Sequence, residues 1–396
     1  MSSAIAEVRE AFSQAFGGDG RIHLIRAPGR VNLIGEHTDY NEGFVFPMAI
    51  EPQVLIACRA RDDALVRIRS TAFSGSIAEL SLDRRIERGE PAWANYSRGV
   101  AAELIAAGIP LVGMDALISN SLPVGSGLSS SAALEVGTAR SLLVLAGSTL
   151  DDSRLALLCQ KAEHTFANVP VGIMDQTIVA AGRAGHAMLL DCRDLSRRFV
   201  PIDSNELRVV IVNSMVKHAL VDGEYAKRHQ QCEQATDYFH GIAPAVRALR
   251  DVSIQQVEAA RGALADVIFR RARHVVTENA RTTQAAVLLA QRNYEELGEL
   301  MVQSHRSLRD DYEVSCRELD FLADQAMTTK GVYGARMTGG GFGGCIVALV
   351  QPRSVESLTG QLLKSYAAQF GFEPQVYVTD ATAGANQIET VQKQGA

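Results

Sequence analysis

Short apolar runs bounded by Gly, Pro and Asn mark the first sixty residues. Ile22–Ile25, Phe44–Ile50 and Val54–Ala57 read as strands on that pattern, after a polar, Ala-rich segment over 1–17 that reads as a helix ending at Gly17-Gly18. Residues 96–107 have helical spacing, and 114–121 read as a strand running into Leu122-Pro123-Val124-Gly125. Over Ser129–Leu145 the apolar positions Ala132, Ala133, Val136, Ala139, Leu142 and Leu143 define an amphipathic helix that starts beside Gly125 and Gly127. A second helix over 151–166 carries the stripe Leu155, Leu158, Cys159, Ala162 and Phe166. Strands at 186–191 and 208–213 follow. Residues 222–239, 256–291 and 293–325 are mainly helical, Cys345–Val350 and Pro374–Val378 read as strands, and a short polar tail follows Ala381.

A chain of 396 residues exceeds what one hydrophobic core usually supports, so two domains are expected. The pattern puts their boundary near residue 200: a mixed-sheet domain over 1–200 and an α+β domain over 201–396, with the strand near 374–378 a candidate to join the first. Composition is ordinary for a globular protein, with 47% hydrophobic and 21% charged residues. The net charge of −6 argues against a nucleic-acid or anionic-membrane partner, which needs a basic footprint. The basic group Arg270, Arg271 and Arg273 falls in a helical pattern and reads as a solvated face. With no apolar run near 18 residues and no leader pattern, the chain reads as a cytoplasmic protein, and its six scattered cysteines as reduced and structural. A monomer is expected.

Candidate chemistry gathers in three clusters. The first, Ala27 to Asn41, is dense in hydrogen-bonding groups. Its Glu36, His37 and Asp39 suit a polyhydroxylated ligand; they lack the helical spacing of a HExxH metal site, and a polar turn between strands is the plain alternative. The second, Leu122 to Ala133, sets glycines before a helix. Free N–H groups and a positive dipole end there make a phosphate cradle, or else a simple helix-capping loop, and with no Lys after the last glycine it is not a Walker A loop. A hydroxyl such as Ser131 suits Mg²⁺ if a carboxylate elsewhere completes the site. The third, Met337 to Cys345, matches GxGxxG at Gly339, Gly341 and Gly344, but a strand follows where a dinucleotide site needs a helix. It reads instead as a tight turn bringing a strand close to another backbone.

Two acids stand apart. Asp175 lies in the apolar segment Val169–Gln176, read as a loop, where an unpaired carboxylate is costly; Arg30 is the candidate partner that keeps it ionised and able to accept a proton. Glu163 flanks the apolar stripe of its helix and by itself reads as a surface acid.

Taken together the clusters resemble the motifs of the GHMP kinase superfamily, and GRVNLIGEHTDYNEG at 29–43 is similar to the galactokinase signature. LPVGSGLSSSAALEV at 122–136 resembles the phosphate-binding motif and MTGGGFGGC at 337–345 the third motif; the likeness continues through 159–176 and 270–281. The resemblance implies a two-domain α+β fold with its active site between the domains. It implies transfer of the γ-phosphoryl of ATP to the C1 hydroxyl of α-D-galactose, the first committed step of the Leloir pathway. Asp175 would take the C1 proton and Arg30 would orient it. Glu36, His37, Thr38, Asp39, Gly172, Asp175 and Tyr225 would hold the sugar. Gly125, Ser126, Gly127, Leu128, Ser129, Ser130 and Ser131 would wrap the triphosphate of Mg-ATP, with Ser70 also near the nucleotide and with Ser131 and Glu163 as Mg²⁺ ligands. Another kinase of the superfamily, acting on N-acetylgalactosamine, another sugar, mevalonate or homoserine, is the rival within this class. A sugar and ATP sensor without turnover is the rival outside it; such relatives lack a Ser-Ala pair in the phosphate motif, and Ser131-Ala132 is present here.

Overall fold

The structure, a computed structural model, describes residues 2–17, 20–73, 77–123, 125–217 and 221–392. Val124 of the phosphate motif lies outside them. The chain opens with helix α1 (Ser2–Phe16) and strands β1 (Arg21–Asn32), β2 (Phe44–Val45), β3 (Pro47–Arg61), β4 (Leu65–Ser70) and β5 (Ala78–Ser81). Helix α2 (Asn95–Ala106) and strand β6 (Gly113–Asn120) lead to α3 (Ser130–Leu145), α4 (Asp152–Ala162) and α5 (Met174–Ala181), with a π-helical turn at Glu163–Ala167 between the last two. Strands β7 (His186–Asp191), β8 (Arg197–Pro201) and β9 (Arg208–Lys217) precede helices α6 (Val221–Ile242), α7 (Ile254–Ala259), α8 (Asp266–Ala290), α9 (Tyr294–Asp310) and α10 (Arg317–Met327). The chain ends with β10 (Val332–Thr338), β11 (Gly343–Val350), α11 (Val355–Phe370), β12 (Gln375–Thr379) and β13 (Asn386–Gln392).

These strands form a mixed six-stranded sheet in the order β13-β1-β3-β6-β4-β5, a four-stranded antiparallel sheet β10-β11-β9-β12, and a small sheet β2-β7-β8. Only the β4–β6 pair of the first sheet is parallel. Helix α3 packs closely on that sheet because its facing residues are small: a Cβ at Gly137 would sit 3.0 Å from Ile56 Cδ1 and 3.2 Å from Ala27 Cβ. On the opposite face, Val8 and Phe12 of α1 cover Leu24, Leu55 and Leu117.

The period-2 rule decides how the two larger sheets share their interiors. In β11, Cys345, Val347 and Leu349 join the core under the six-stranded sheet, while Ile346, Ala348 and Val350 join a second core with α6, α8, α10 and α11. Strand β9 divides the same way, Val209 and Ile211 against Val210 and Val212. That explains why β11 is buried along its whole length and reads as an unbroken apolar run.

Several sequence expectations shift. Strand β1 continues past Ile25 to Asn32, so Arg30 sits on a strand rather than in a loop, beyond a register shift against β3 at Pro28. The runs around Ile50 and Val54 are one strand, β3. Asp175 stands in the first turn of α5, not in a loop. Strand β12 pairs with β9 in the four-stranded sheet; it is the supposed polar tail, as β13, that returns to pair with β1. Arg271 is not on a solvated face: it is 2% exposed, and donates to Gln231, the Asp311 carbonyl and Glu313. Arg270 and Arg273 are paired with Glu313 and Asp311. Arginine's fork of donors lets it be buried where a residue-type pattern alone suggests solvent. Among the described residues no helix is long and apolar enough to cross a membrane, and the six cysteines are free.

Candidate active site

A cavity of about 610 Å³ opens where the end of β1, the α3 N-terminus, the segment before α5 and the β10–β11 turn meet. Backbone contact made possible by glycine brings these pieces together. Gly29 lies where a Cβ would strike Leu122 Cδ2 at 2.3 Å and the Leu128 carbonyl at 2.8 Å, and the Arg30 N–H donates to that carbonyl at 3.2 Å. On the other side, a Cβ at Gly344 (φ +82°) would sit 2.6 Å from the Ser126 carbonyl. The third motif thus acts as its sequence suggested, as a turn laid against another backbone, and the glycine-serine loop before α3 is clamped between β1 and β11.

At the centre is Asp175. Arg30 donates from Nε to Oδ1 and from Nη2 to Oδ2, both at 2.7 Å, and the Ser129 hydroxyl also donates to Oδ2. Arg30 Nη1 donates to the Gly127 carbonyl, so one guanidinium fixes both the carboxylate and the loop. Its side chain is 5% exposed, against 22% for Asp175, which keeps a face open to the cavity. A bidentate pair in this setting is directional as well as strong.

On one side of Asp175 lie His37, Asp39, Gly172 and Tyr225. Gly172 has no alternative here: a Cβ would fall 1.8 Å from Asp39 Oδ2. Burial and the nearby Asp175 raise the Asp39 pKa to about 7. Burial, with Asp39 and Asp175, raises the Tyr225 phenol, which therefore stays protonated. Glu36 also lines the cavity, but its oxygens are heavily engaged. Oε2 accepts from Asn32 Nδ2 at 2.8 Å and meets Arg336 Nη2 at 2.7 Å, and Oε1 accepts from Thr338 Oγ1 at 3.0 Å and Gly339 N–H at 2.8 Å. Thr38 does not line the cavity; it is fully buried and its hydroxyl bonds the Gly35 and Phe44 carbonyls, closing the signature loop.

On the other side lie Gly125, Gly127, Ser129, Ser130 and Ser131. Ser126 and Leu128 of the same loop are buried and do not line the cavity: Ser126 Oγ donates to the Pro123 carbonyl and Leu128 packs in the core. A second cavity of about 290 Å³ shares Gly125, Ser130 and Ser131 with the first and continues to Ser70, Phe73, Trp93, Tyr96 and Asn120. Phe73 and Trp93 are stacked, centroids 5.6 Å apart. Sequence reasoning found Ser70 but missed these aromatics; that Trp93 is the single tryptophan of the chain was the available signal.

Glu163 is no surface acid. It is 3% exposed, and Gln176 Nε2 bridges its Oε2 at 2.6 Å to Glu135 Oε2 at 3.1 Å. Burial and Asp175 raise the Glu163 pKa to about 7, the Ser131 hydroxyl opposing the rise, and Glu135 is raised well above its ordinary range by burial and Glu163. Glu135 Oε1 is buried with no partner. Crowded acidic oxygens beside a serine hydroxyl fit a hard divalent cation that keeps its remaining ligands from water and phosphate. Glu135 and Gln176 lie inside the 122–136 and 159–176 segments but were not singled out, because their pairing with Glu163 rests on long-range contact.

Comparison with known proteins agrees with this geometry. The galactokinase galactose-binding signature matches residues 10–60, the GHMP kinase N-terminal domain 95–183 and the GHMP kinase C-terminal domain 285–368. A galactokinase of Canis lupus familiaris is 45% identical over 387 residues, covering 96% of each chain. One of Chloroflexus aggregans is 46% identical over 382 residues, 96% of this chain and 97% of that one. Among solved structures, the Lactococcus lactis galactokinase complexed with galactose superposes with a TM-score of 0.94 at 34% identity, over 97% of this chain and 100% of that one. The three motifs, the cavity they enclose and likeness over nearly the full length agree, and the chain belongs to the galactokinase family of the GHMP kinases.

Proposed function

We propose that the protein transfers the γ-phosphoryl group of ATP to the C1 hydroxyl of α-D-galactose, giving galactose 1-phosphate and ADP. The observation that carries the reading is the Asp175 carboxylate, oriented by Arg30 and Ser129 at the junction of a pocket lined by carboxylate, imidazole and phenol groups and a glycine-serine loop. Galactose occupies the pocket of Glu36, His37, Asp39, Gly172 and Tyr225. The triphosphate follows Gly125 to Ser131, where the α3 N-terminus offers free N–H groups and the positive end of the helix. The base enters the second cavity, whose aromatic wall suits a planar ring.

Asp175 accepts the C1 proton as the hydroxyl oxygen attacks the γ-phosphorus. Arg30 holds the carboxylate in line and offsets charge developing between acceptor and donor. Phosphoryl transfer passes through a loose transition state, so positioning and electrostatics carry most of the acceleration. Ser131 and Glu163 would hold Mg²⁺, which would neutralise phosphate charge; the crowded acids at Glu163 and Glu135 support this assignment. We read the chain as two lobes, 1–200 and 201–396, with β13 returning to the first.

A coupled ADP-release assay across galactose, N-acetylgalactosamine, mevalonate and homoserine tests the reading. Galactose is the expected acceptor. Asp175→Asn is expected to lower kcat by about 10²–10⁴, the usual worth of a general base, with the fold intact by circular dichroism. Near-normal turnover in that variant would remove Asp175 from the mechanism.

A further inference from the structure

His37 reaches the sugar pocket backed by a line of hydrogen-bonding groups that the reaction above does not use. Its Nδ1 lies 2.9 Å from the Tyr40 hydroxyl, which lies 2.8 Å from the Tyr312 hydroxyl, which lies 3.0 Å from Cys232 Sγ. Tyr312 and Cys232 are buried, at 0% and 2% exposure, and His37 is 5% exposed in a left-handed conformation (φ 62°). The Asn41 side chain donates to the His37 carbonyl at 2.9 Å and fixes that turn. The other ring nitrogen, Nε2, is buried and has no hydrogen-bond partner.

Three bonds in series allow two proton arrangements in which both phenols spend their protons within the series. In one, every proton points toward His37: Cys232 S–H to Tyr312, Tyr312 O–H to Tyr40, and Tyr40 O–H to Nδ1. In the other, Nδ1–H donates to Tyr40 and the series ends with sulfur as acceptor. An imidazole nitrogen accepts well and a thiol sulfur poorly, so the first arrangement ends on the stronger acceptor, and bonds aligned in one direction polarise one another. Burial raises the Cys232 thiol to about 11, so it keeps its proton to donate. Burial likewise lowers His37 to about 3, so the ring is neutral with a single N–H to place.

We propose that Tyr40, Tyr312 and Cys232 are a positioning relay that holds His37 as the Nε2–H tautomer, so that His37 offers one oxygen of the bound sugar a donor and never an acceptor. The proposal rests on the galactose reading for its ligand but not for its tautomer. A site built to donate to one oxygen rejects analogues lacking that oxygen, because the buried N–H is then left unpaired.

The test starts with long-range ¹H–¹⁵N spectra of ¹⁵N-histidine-labelled free protein, the His37 signals identified by their loss in His37→Asn. The expected result is a protonated Nε2 and an unprotonated Nδ1, giving way to mixed tautomers in Tyr40→Phe. Kinetically, Tyr40→Phe and Tyr312→Phe are expected to raise the galactose KM roughly threefold to tenfold, the worth of one neutral hydrogen bond, with kcat within about twofold. Across deoxygalactose analogues, wild-type protein discriminates against loss of one particular oxygen and Tyr40→Phe relaxes that discrimination alone. Cys232→Ser, which keeps a donor, is expected to behave as wild type in both tests, and Cys232→Ala to show part of the Tyr312→Phe effect. Should Tyr312→Phe fail to fold, the wild-type spectrum and the two Cys232 variants still decide. An Nδ1–H or charged His37 in an active galactose kinase would overturn the relay, as would variants that weaken every analogue equally. An Nε2–H His37 in a protein that does not phosphorylate galactose would overturn the functional reading and leave the relay standing.

Discussion

Asp39→Asn is expected to make the free protein more stable and a worse galactose binder, and both effects follow from one number. Burial and Asp175 raise the Asp39 pKa from 3.8 to about 7. At 1.36 kcal/mol per unit, holding the charge costs the empty protein on the order of 4 kcal/mol. Because the folded-state value lies above the unfolded one, the folded state binds the extra proton between pH 4 and 7 on the order of one per molecule, and stability falls as pH rises through that window. The destabilisation is complete above about pH 7 and absent below the unfolded value. Asp39→Asn escapes it, so its melting temperature should exceed that of wild type by a few degrees at pH 8, with the gap closing toward pH 5. In the proposed galactose site, sugar hydroxyls donate to the ionised carboxylate. Wild-type galactose affinity should therefore weaken roughly tenfold from pH 8 to pH 6, as the ionised fraction falls from about ten in eleven to about one in eleven. Isothermal titration calorimetry without nucleotide, which leaves the Glu163 region out of the measurement, reads the second effect and differential scanning calorimetry the first. A variant less stable than wild type at pH 8, or a wild-type affinity flat between pH 6 and 8, would refute the argument.

Three further outcomes follow from the geometry. Gly344→Ala forces a Cβ to within 2.6 Å of the Ser126 carbonyl at a positive φ, so the phosphate loop must shift; the ATP KM should rise at least several-fold, at a stability cost of about 1–3 kcal/mol measurable by urea melts. Trp93 is the single tryptophan and stacks on Phe73 in the second cavity. ATP addition should change the intrinsic fluorescence, and Trp93→Leu should raise the ATP KM while leaving the galactose KM unchanged; a silent fluorescence titration counts against a base in that cavity. Arg336 is fully buried against Glu36 and donates to the Asn32 and Leu33 carbonyls and Ser304. Arg336→Met should cost about 3–5 kcal/mol, because it strands the Glu36 carboxylate in the interior; calorimetry giving less than half of that would mean the backbone and hydroxyl donors around Glu36 suffice without it.

Much of this protein was legible along the chain. The periodic segments, α3 above all, follow from local spacing, and the three motifs are dense enough in glycine and hydrogen-bonding groups to be found without a fold. Even the Arg30–Asp175 pair was inferable, since a carboxylate flanked by apolar residues demands a partner. What the linear pattern misjudged were features whose cause lies far away in sequence. The polar run 386–392 is a strand because β1 offers it an open edge, and Arg271 is buried because Asp311 and Glu313, forty positions and more along the chain, satisfy its donors. Tertiary structure alone decided that Glu163 faces Glu135 across Gln176, that Thr38 closes its own loop while Asp39 faces the cavity, and that an aromatic pocket adjoins the phosphate loop. The sequence by itself therefore determined which residue types and local elements were available, because propensity and periodicity act over a few residues. Which charges share a dielectric, and which acids are pushed toward neutral pH, depends on distances of a few ångströms between residues from a dozen to more than a hundred positions apart, and only the packed fold sets those.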